Sequence, residues 1–160
     1  MSETPIDSDA IVGHVHLKVA DLQRAIQFYT AVLGFEVMQR IGDSAAFLSA
    51  GGYHHHIGLN TWESKGGDPP SRGATGLYHV AFLYPTRTAL GRALRRVIDS
   101  GVRLEGASDH GVSEALYLRD PDGNGIELYC DRPRDAWPRD ENGDLQMYTR
   151  PLDVESLLKA

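Results

Sequence analysis

The sequence predicts an α+β fold in which paired βαβββ modules form a curved mixed sheet around a shared cup. Both halves contain short runs of alternating apolar and polar residues, which predict strands, and one amphipathic stretch, which predicts a helix. The halves also correspond at three markers that are 65, 67 and 69 residues apart: His14 with His79, Gly34 with Gly101, and Ile57 with Ile126. Because solenoid repeats need at least about three copies, two copies predict a closed pair.

Turn-forming residues set the predicted boundaries. Residues 63–76 are rich in Gly, Pro and Ser and lack apolar periodicity, which is typical of a linker. The chain then divides into an N-terminal tail at 1–10, a first module at 11–62, the linker at 63–76, a second module at 77–131, and a C-terminal extension with a short helix at 132–160.

The first module begins with a half-buried strand at 11–19. Its alternation separates two faces: Val15, Leu17 and Val19 on one, and His14, His16 and Lys18 on the other. A helix follows, which Asp21 caps and Gly34 ends. Its inward side chains are predicted to be Leu22, Ile26, Tyr29 and Leu33. Further strands are predicted at 35–40, 45–49 and 54–61.

The second module repeats this order. A strand at 77–84 precedes a helix that Thr86 caps and Gly101 ends. Its inward side chains are predicted to be Leu90, Leu94, Val97 and Ile98. A short strand at 102–105 is followed by the hairpin YLRDPDGNGIE (117–127), whose proline and glycines favour a tight turn, with positive φ at Gly123 and Gly125. Alternation places Tyr117 and Glu127 on the face opposite the apolar one.

Composition excludes several classes of partner. The 160 residues have a net charge of −6 and no lysine or arginine run, so we expect neither nucleic acid nor an anionic membrane surface as a partner. No stretch approaches the ~20 apolar residues of a membrane span, and residues 1–10 do not resemble a secretory signal. Cys130 is the only cysteine and alternates with apolar neighbours, so we expect a packed core thiol and a cytoplasmic protein.

Three polar residues occupy corresponding positions on the face opposite the helices. His14 and His79 lie on equivalent first strands, and Glu127 lies on a last strand, where the first module has Gly58. Pairing of the modules would bring them together in a metal-binding cup. Two imidazoles and one carboxylate leave up to about three coordination positions open, which suits Fe(II), and Mn(II) would also accept this ligand set.

Four segments resemble the vicinal oxygen chelate superfamily, which includes glyoxalases, bleomycin resistance proteins and dioxygenases. They are HVHLKVADLQRAIQFYTAVLGF (14–35), HHHIGLNTW (54–62), YHVAF (78–82) and YLRDPDGNGIELY (117–129). The resemblance covers residues 11–131 and is closest to the type I extradiol (catechol 2,3-dioxygenase-like) enzymes. Many members of that branch have four modules, so this chain would be a one-domain form.

The resemblance implies roles for individual residues. It makes the metal ligands His14, His79 and Glu127, and the catalytic residues His55, Tyr117 and His110. Strict alternation would turn residues 54 and 56 towards the cup instead, so His56 is the substitute for His55. A bulge near residues 51 and 52 would reconcile the two patterns.

The activity that the resemblance implies is Fe(II)-dependent cleavage of a catechol-type ring by O₂. The alternatives are a glyoxalase-like isomerase, a metal-dependent thiol transferase and a metal-free small-molecule binding protein. The glyoxalase branch needs a carboxylate ligand where this chain has Gly58, which disfavours it. The expected partners are a small aromatic diol, O₂ and a second copy of the chain in a dimer.

The C-terminal extension contains three large side chains that predict burial, Trp137, Met147 and Tyr148. They would either cover the cup as a lid or pack on a second subunit, and packing is the favoured hypothesis.

Overall fold

The computed structural model describes residues 5–160, so the first four residues of the predicted tail lie outside the described part. The first module consists of β1 (Val15–Lys18), α1 (Leu22–Gln27), a π-helical turn (Phe28–Val32), β2 (Glu36–Ile41), β3 (Ala45–Ser49) and β4 (Ile57–Asn60). The second module consists of β5 (Val80–Leu83), α2 (Arg87–Asp99), β6 (Gly106–Asp109), β7 (Ser113–Arg119) and β8 (Gly125–Asp131). The extension contains a 3₁₀ turn (Arg134–Ala136), β9 (Arg150–Pro151) and α3 (Val154–Leu158).

Both modules have the βαβββ order, which confirms the α+β fold class, and each builds its own mixed sheet. The first sheet has four strands in the order β1-β4-β3-β2, and the second has five in the order β5-β8-β7-β6-β9. The first and last strands of each module are parallel neighbours, whereas the other pairs are antiparallel. Consequently β1 and β5 each lie at the edge of a sheet.

The helix signals in the sequence have the expected structural counterparts. Asp21 accepts a hydrogen bond from the Arg24 amide, and Thr86 accepts one from the Ala89 amide, so both caps form as predicted. The predicted inward side chains of the first helix are all buried. In α2, however, Ile98 is 48% exposed. Position 98 lies about 100° around the helix from the buried position 97, which puts it at the edge of the apolar stripe.

The two modules pack against each other through the π-helical turn and the residues that follow it, α2 and the β7–β8 turn. The Arg96 guanidinium donates to the Leu33 carbonyl at 3.2 Å, and a Cβ on Gly34 would overlap that guanidinium. The buried Tyr29 hydroxyl donates to Asp120 Oδ2 at 2.9 Å, on the β7–β8 turn. Buried side chains of both modules therefore form one continuous hydrophobic cluster.

The strand predicted at 54–61 is shorter than expected. β4 begins at Ile57, which pairs with Val15 at the start of β1 and with Leu48 of β3. Residues 51 and 52 adopt positive φ values of 67° and 79° in a turn, so residues 54–56 precede the strand and its alternation does not apply to them. A bulge of this sheet lies instead between Val37 and Gln39 of β2.

The strand predicted at 102–105 is displaced along the chain. The observed β6 covers residues 106–109, where Gly106 pairs with Tyr117 and Asp109 with Glu114. Its residues have low apolar content, so pairing with β7 rather than hydrophobic alternation defines this strand.

The hairpin itself has the predicted register. Tyr117 lies opposite Glu127, and their neighbours Leu116, Leu118, Ile126 and Leu128 are almost completely buried on the other face. Cys130 continues that face and is 5% exposed, and burial raises the pKa of its thiol. It is a packed core residue, as predicted.

The C-terminal extension packs on the second module of its own chain, whereas the sequence suggested a lid or a contact with another subunit. β9 pairs with β6, and Leu157 of α3 is fully buried against α2, where Gly91 leaves room for the Leu157 carbonyl. Met147 is 62% exposed in this chain, so its burial against a second subunit stays a prediction. Within residues 5–160, no helix combines the length and hydropathy that a membrane crossing requires.

Candidate active site

The β7–β8 hairpin positions the polar side chains of the second module. Gly123 has a φ of 83° in its turn, whereas Gly125 is needed for a different reason than the predicted positive φ. A Cβ on Gly125 would overlap the Tyr78 carbonyl and lie 3.1 Å from the Cβ of His79. The missing side chain therefore lets the start of β5 approach β8 and places His79 beside Glu127.

Four side chains of this module form a hydrogen-bonded chain, which we call the module-2 cluster: His79, His110, Tyr117 and Glu127. Glu127 Oε2 lies 2.9 Å from His79 Nε2. Its other oxygen, Oε1, is a hydrogen-bond acceptor 3.2 Å from the Tyr117 hydroxyl. The same hydroxyl lies 2.7 Å from His110 Nε2. Two predicted metal ligands, His79 and Glu127, are thus adjacent to two predicted catalytic residues, Tyr117 and His110.

The environment keeps Tyr117 protonated. Burial is the largest effect that raises the pKa of Tyr117 to about 12, followed by the negative charge of Glu127 and the hydrogen bond to it. At neutral pH the phenol is consequently a proton donor. In the same cluster His79 Nδ1 is buried without a hydrogen-bond partner, so only the Nε2 side of this ring has a polar contact.

The histidines of the first module form a second group beside β1 and β4. The rings of His14 and His55 lie 4.4 Å apart, and His54 Nδ1 lies 2.8 Å from His55 Nδ1. Partial burial lowers the pKa of His55, and the neighbouring histidines, His14 first, lower it further. Four imidazoles close together therefore favour a neutral His55 that can accept a proton.

His16 has a role that the sequence did not reveal. It lies opposite Gly58 in the β1–β4 register, and a Cβ on Gly58 would lie 2.8 Å from its ring. The ring also packs near Phe47 and Trp62, at 5.9 and 5.6 Å. The imidazole thus occupies the space that a longer side chain at position 58 would need. Only the strand register could have shown this.

A cavity of about 890 Å³ lies between the edge strands β1 and β5. Its wall includes His14, His79 and His56 together with apolar and aromatic side chains such as Phe35 and Phe82. Among the described residues, this wall includes His56 but not the predicted site residues His55, His110, Tyr117 and Glu127. His56 is itself held by Ser49, whose hydroxyl lies 3.2 Å from its Nδ1.

The predicted metal ligands are therefore only partly assembled. His79 and Glu127 converge within 2.9 Å, and His14 lines the same cavity but packs on His55. In the described part of the chain, no three His, Cys, Asp or Glu side chains are grouped as a metal site would require. The donor types fit a divalent metal, and two of the three donors already point at one another. The ligand set remains a prediction.

The fold and these polar groups place the chain in a known class. The chain matches the family described as the Glyoxalase/Bleomycin resistance protein/Dioxygenase superfamily over residues 11–128, and it belongs to that family. A solved structure of a glyoxalase/dioxygenase from Nostoc punctiforme has the same fold, with a TM-score of 0.67 and 21% identity over 83% of this chain and 99% of that one.

The relatives that the chain matches include proteins named as dioxygenases and proteins named as lyases. The chain is 46% identical to a catechol-2,3-dioxygenase of Bacillus subtilis (strain 168) over 156 residues, which are 98% of this chain and 54% of the relative. It is 29% identical to a lactoylglutathione lyase of Escherichia coli O157:H7 over 120 residues, which are 72% of this chain and 88% of that one. The chain thus spans about half the length of the catechol-2,3-dioxygenase that it matches.

Proposed function

We propose that the chain catalyses Fe(II)-dependent extradiol cleavage of a catechol-type aromatic diol with O₂. The observation that supports this most is the Tyr117 hydroxyl, which lies between His110 Nε2 and Glu127 Oε1. A protonated phenol beside a carboxylate ligand can orient a substrate hydroxyl, and its neighbouring imidazole can accept the proton. The 46% identity to a catechol-2,3-dioxygenase also supports it.

The metal would be held by His14, His79 and Glu127, with Mn(II) as a possible substitute for Fe(II). When bound, the metal would supply Lewis acidity that favours the ionised diol and would leave positions for both reactants. Holding it would require His14 to turn from His55 towards the other two donors, across the cavity that His14 and His79 line.

The protein groups would bind and orient the diol. The diol would bind beside His79, which lines both the apolar cavity and a smaller one of about 220 Å³ that Tyr117 lines. The apolar and aromatic walls of the larger cavity, Phe35 and Phe82 among them, would accommodate a flat ring. Tyr117 would form a hydrogen bond with one diol hydroxyl, and His55, whose pKa is lowered by burial and by the neighbouring histidines, would accept the proton of the other. His56 is the alternative base, since it lines the cavity.

Two observations bear on the alternatives. The His16 ring fills the space beside Gly58, so this position offers neither a carboxylate nor room for one, which argues against a glyoxalase-like isomerase. A thiol transferase or a metal-free binding protein would have no need of a tyrosine hydroxyl placed between a histidine and a glutamate.

The test is to load the full chain with Fe(II) under anaerobic conditions and then to add O₂ with each of a panel of catechols. We expect oxygen uptake together with absorbance of a ring-opened product. Formation or breakdown of lactoylglutathione is measured in parallel. Bound iron without oxygen uptake on any catechol would refute the dioxygenase proposal, and turnover of lactoylglutathione would favour the isomerase.

A further inference from the structure

We propose that residues 146–149 of the C-terminal extension position His110, with the Tyr148 carbonyl fixing this imidazole in the tautomer that is protonated on Nδ1. The importance of this for turnover rests on the proposed function, whereas the tautomer itself does not. Residue 148 acts through its backbone, so it is a positioning residue rather than a catalytic one.

The hydrogen-bond partners of its two ring nitrogens identify the tautomer of His110. His110 Nδ1 lies 2.9 Å from the Tyr148 carbonyl oxygen and 3.3 Å from the Thr149 hydroxyl. A carbonyl oxygen can only accept, so a hydrogen bond at this distance requires a proton on Nδ1. Without that proton, two lone pairs would face each other at 2.9 Å. The neutral ring then has its lone pair on Nε2, which faces Tyr117 at 2.7 Å.

This tautomer also sets the direction of the Tyr117 proton. The phenol has one hydrogen, and two acceptors compete for it, His110 Nε2 at 2.7 Å and Glu127 Oε1 at 3.2 Å. The shorter contact favours donation to His110. With the opposite tautomer, Nε2–H would donate to Tyr117, and the phenol could donate only elsewhere. The Tyr148 carbonyl therefore decides that the Tyr117 hydroxyl donates to His110 Nε2 and not the reverse.

With the hydrogen bonds in this direction, a proton from the substrate would pass through Tyr117 and end on His110 Nε2. A diol hydroxyl would transfer its proton to Tyr117 Oη while the tyrosine's own proton moves to His110 Nε2. One O–H bond of the diol breaks and one N–H bond of His110 forms, leaving an anionic diol oxygen and an imidazolium. The imidazolium keeps its Nδ1–H bond to the Tyr148 carbonyl.

Three further contacts of the C-terminal extension keep the Tyr148 carbonyl beside His110. The Tyr148 amide donates back to the His110 carbonyl at 3.3 Å, so the two residues are joined twice. Gly111 has a φ of 77°, and a Cβ there would lie 2.7 Å from both Pro138 and the Tyr148 ring. Immediately after this contact, β9 pairs with β6, which anchors the segment to the sheet.

The direct test is nitrogen NMR of the full chain labelled with ¹⁵N at histidine, without added metal. The spectrum is recorded at about pH 8, above the ordinary histidine pKa of about 6.5, and His110→Gln assigns the signals. We expect the Nδ1–H pattern for His110. The Nε2–H pattern would overturn the proposal, and this outcome needs no variant to fold.

Gly111→Ala tests the role of the extension. The added methyl group should push Tyr148 and Pro138 away and convert His110 to the Nε2–H tautomer or to a mixture. Gly101→Ala is the matched control, because Gly101 also has a positive φ, of 74°, but its Cβ would meet nothing within 4 Å. An unchanged His110 signal in folded Gly111→Ala would contradict the proposal. If that variant does not fold, Thr149→Val still loosens one of the two Nδ1 contacts, and the wild-type spectrum remains decisive.

Turnover separates this inference from the proposed function. On the catechol that the chain cleaves, Gly111→Ala should lower kcat by up to about 10²-fold with little change in KM. This is the loss expected when a proton acceptor, here His110, is misplaced. Gly101→Ala should retain both parameters. A chain with the predicted tautomer but no ring cleavage would refute the proposed function alone, whereas ring cleavage with the opposite tautomer would refute only this inference.

Discussion

Replacement of Tyr117 by phenylalanine removes the atom on which the proposed chemistry depends most. The change deletes the Tyr117 contact at 2.7 Å with His110 Nε2 and the one at 3.2 Å with Glu127 Oε1, and leaves the ring in place. His79 and Glu127 keep their mutual contact at 2.9 Å, so metal binding should survive. The variant therefore separates proton transfer from metal binding.

The expected loss follows from the role of the hydroxyl. Positioned acid–base groups contribute about 10²–10⁴-fold to a rate, and each tenfold is about 1.4 kcal/mol of activation free energy. Tyr117→Phe should therefore lower kcat by about 10²-fold or more, which is roughly 3 kcal/mol. Because the hydroxyl lies at a half-exposed site that water can reach, folding stability should fall by only about 0.5–1.5 kcal/mol.

Tyr29→Phe supplies the matched control. It removes the same group, but from a fully buried hydroxyl that donates to Asp120 at 2.9 Å, away from the cavity. It should cost about 1–3 kcal/mol of stability and leave kcat nearly unchanged. The assay is steady-state oxygen uptake of iron-loaded protein, with iron content and thermal unfolding measured on each sample. Full kcat in Tyr117→Phe at equal iron content would refute the assigned role.

Two further predictions concern the metal and the contact between modules. Glu127→Gln should weaken Fe(II) binding by about 10-fold or more, because the neutral amide is a poorer ligand for the cation than the carboxylate. The affinity is measured by equilibrium titration, and an unchanged value would show that Glu127 is not a ligand. Gly34→Ala should destabilise more than Gly101→Ala in urea unfolding: both strain a positive φ by about 1–2 kcal/mol, but only the first displaces Arg96. Equal losses would show that the Arg96 contact with the first module contributes nothing.

Local patterns in the sequence were sufficient for much of the architecture. The period of two in the hairpin placed Tyr117 and Glu127 on one face, and the β7–β8 register confirms it. The helix caps at Asp21 and Thr86 were also predictable from the sequence, because a cap depends on residues three positions apart. The family resemblance is confirmed as well, since the chain belongs to that superfamily over residues 11–128.

The arrangement of the histidines was less predictable. Alternation treated residues 54–56 as strand, but β4 begins only at Ile57, which pairs with Val15 of β1 and Leu48 of β3. His55 consequently packs on His14, and His56 lines the cavity. Which imidazole faces the cavity depends on turn geometry and strand pairing, and neither of these produces a repeating pattern in the sequence.

The sequence by itself determined the repeated modules, the helix caps and the face on which Tyr117 and Glu127 lie, because these depend on spacings of two to four residues or on comparison of the two halves. Only the tertiary structure decided that His16 fills the space beside Gly58 and that the Tyr148 carbonyl meets His110. The first of these contacts joins two strands, and the second joins residues 38 positions apart through a backbone oxygen. Every residue has that oxygen, so side-chain identity could not reveal it.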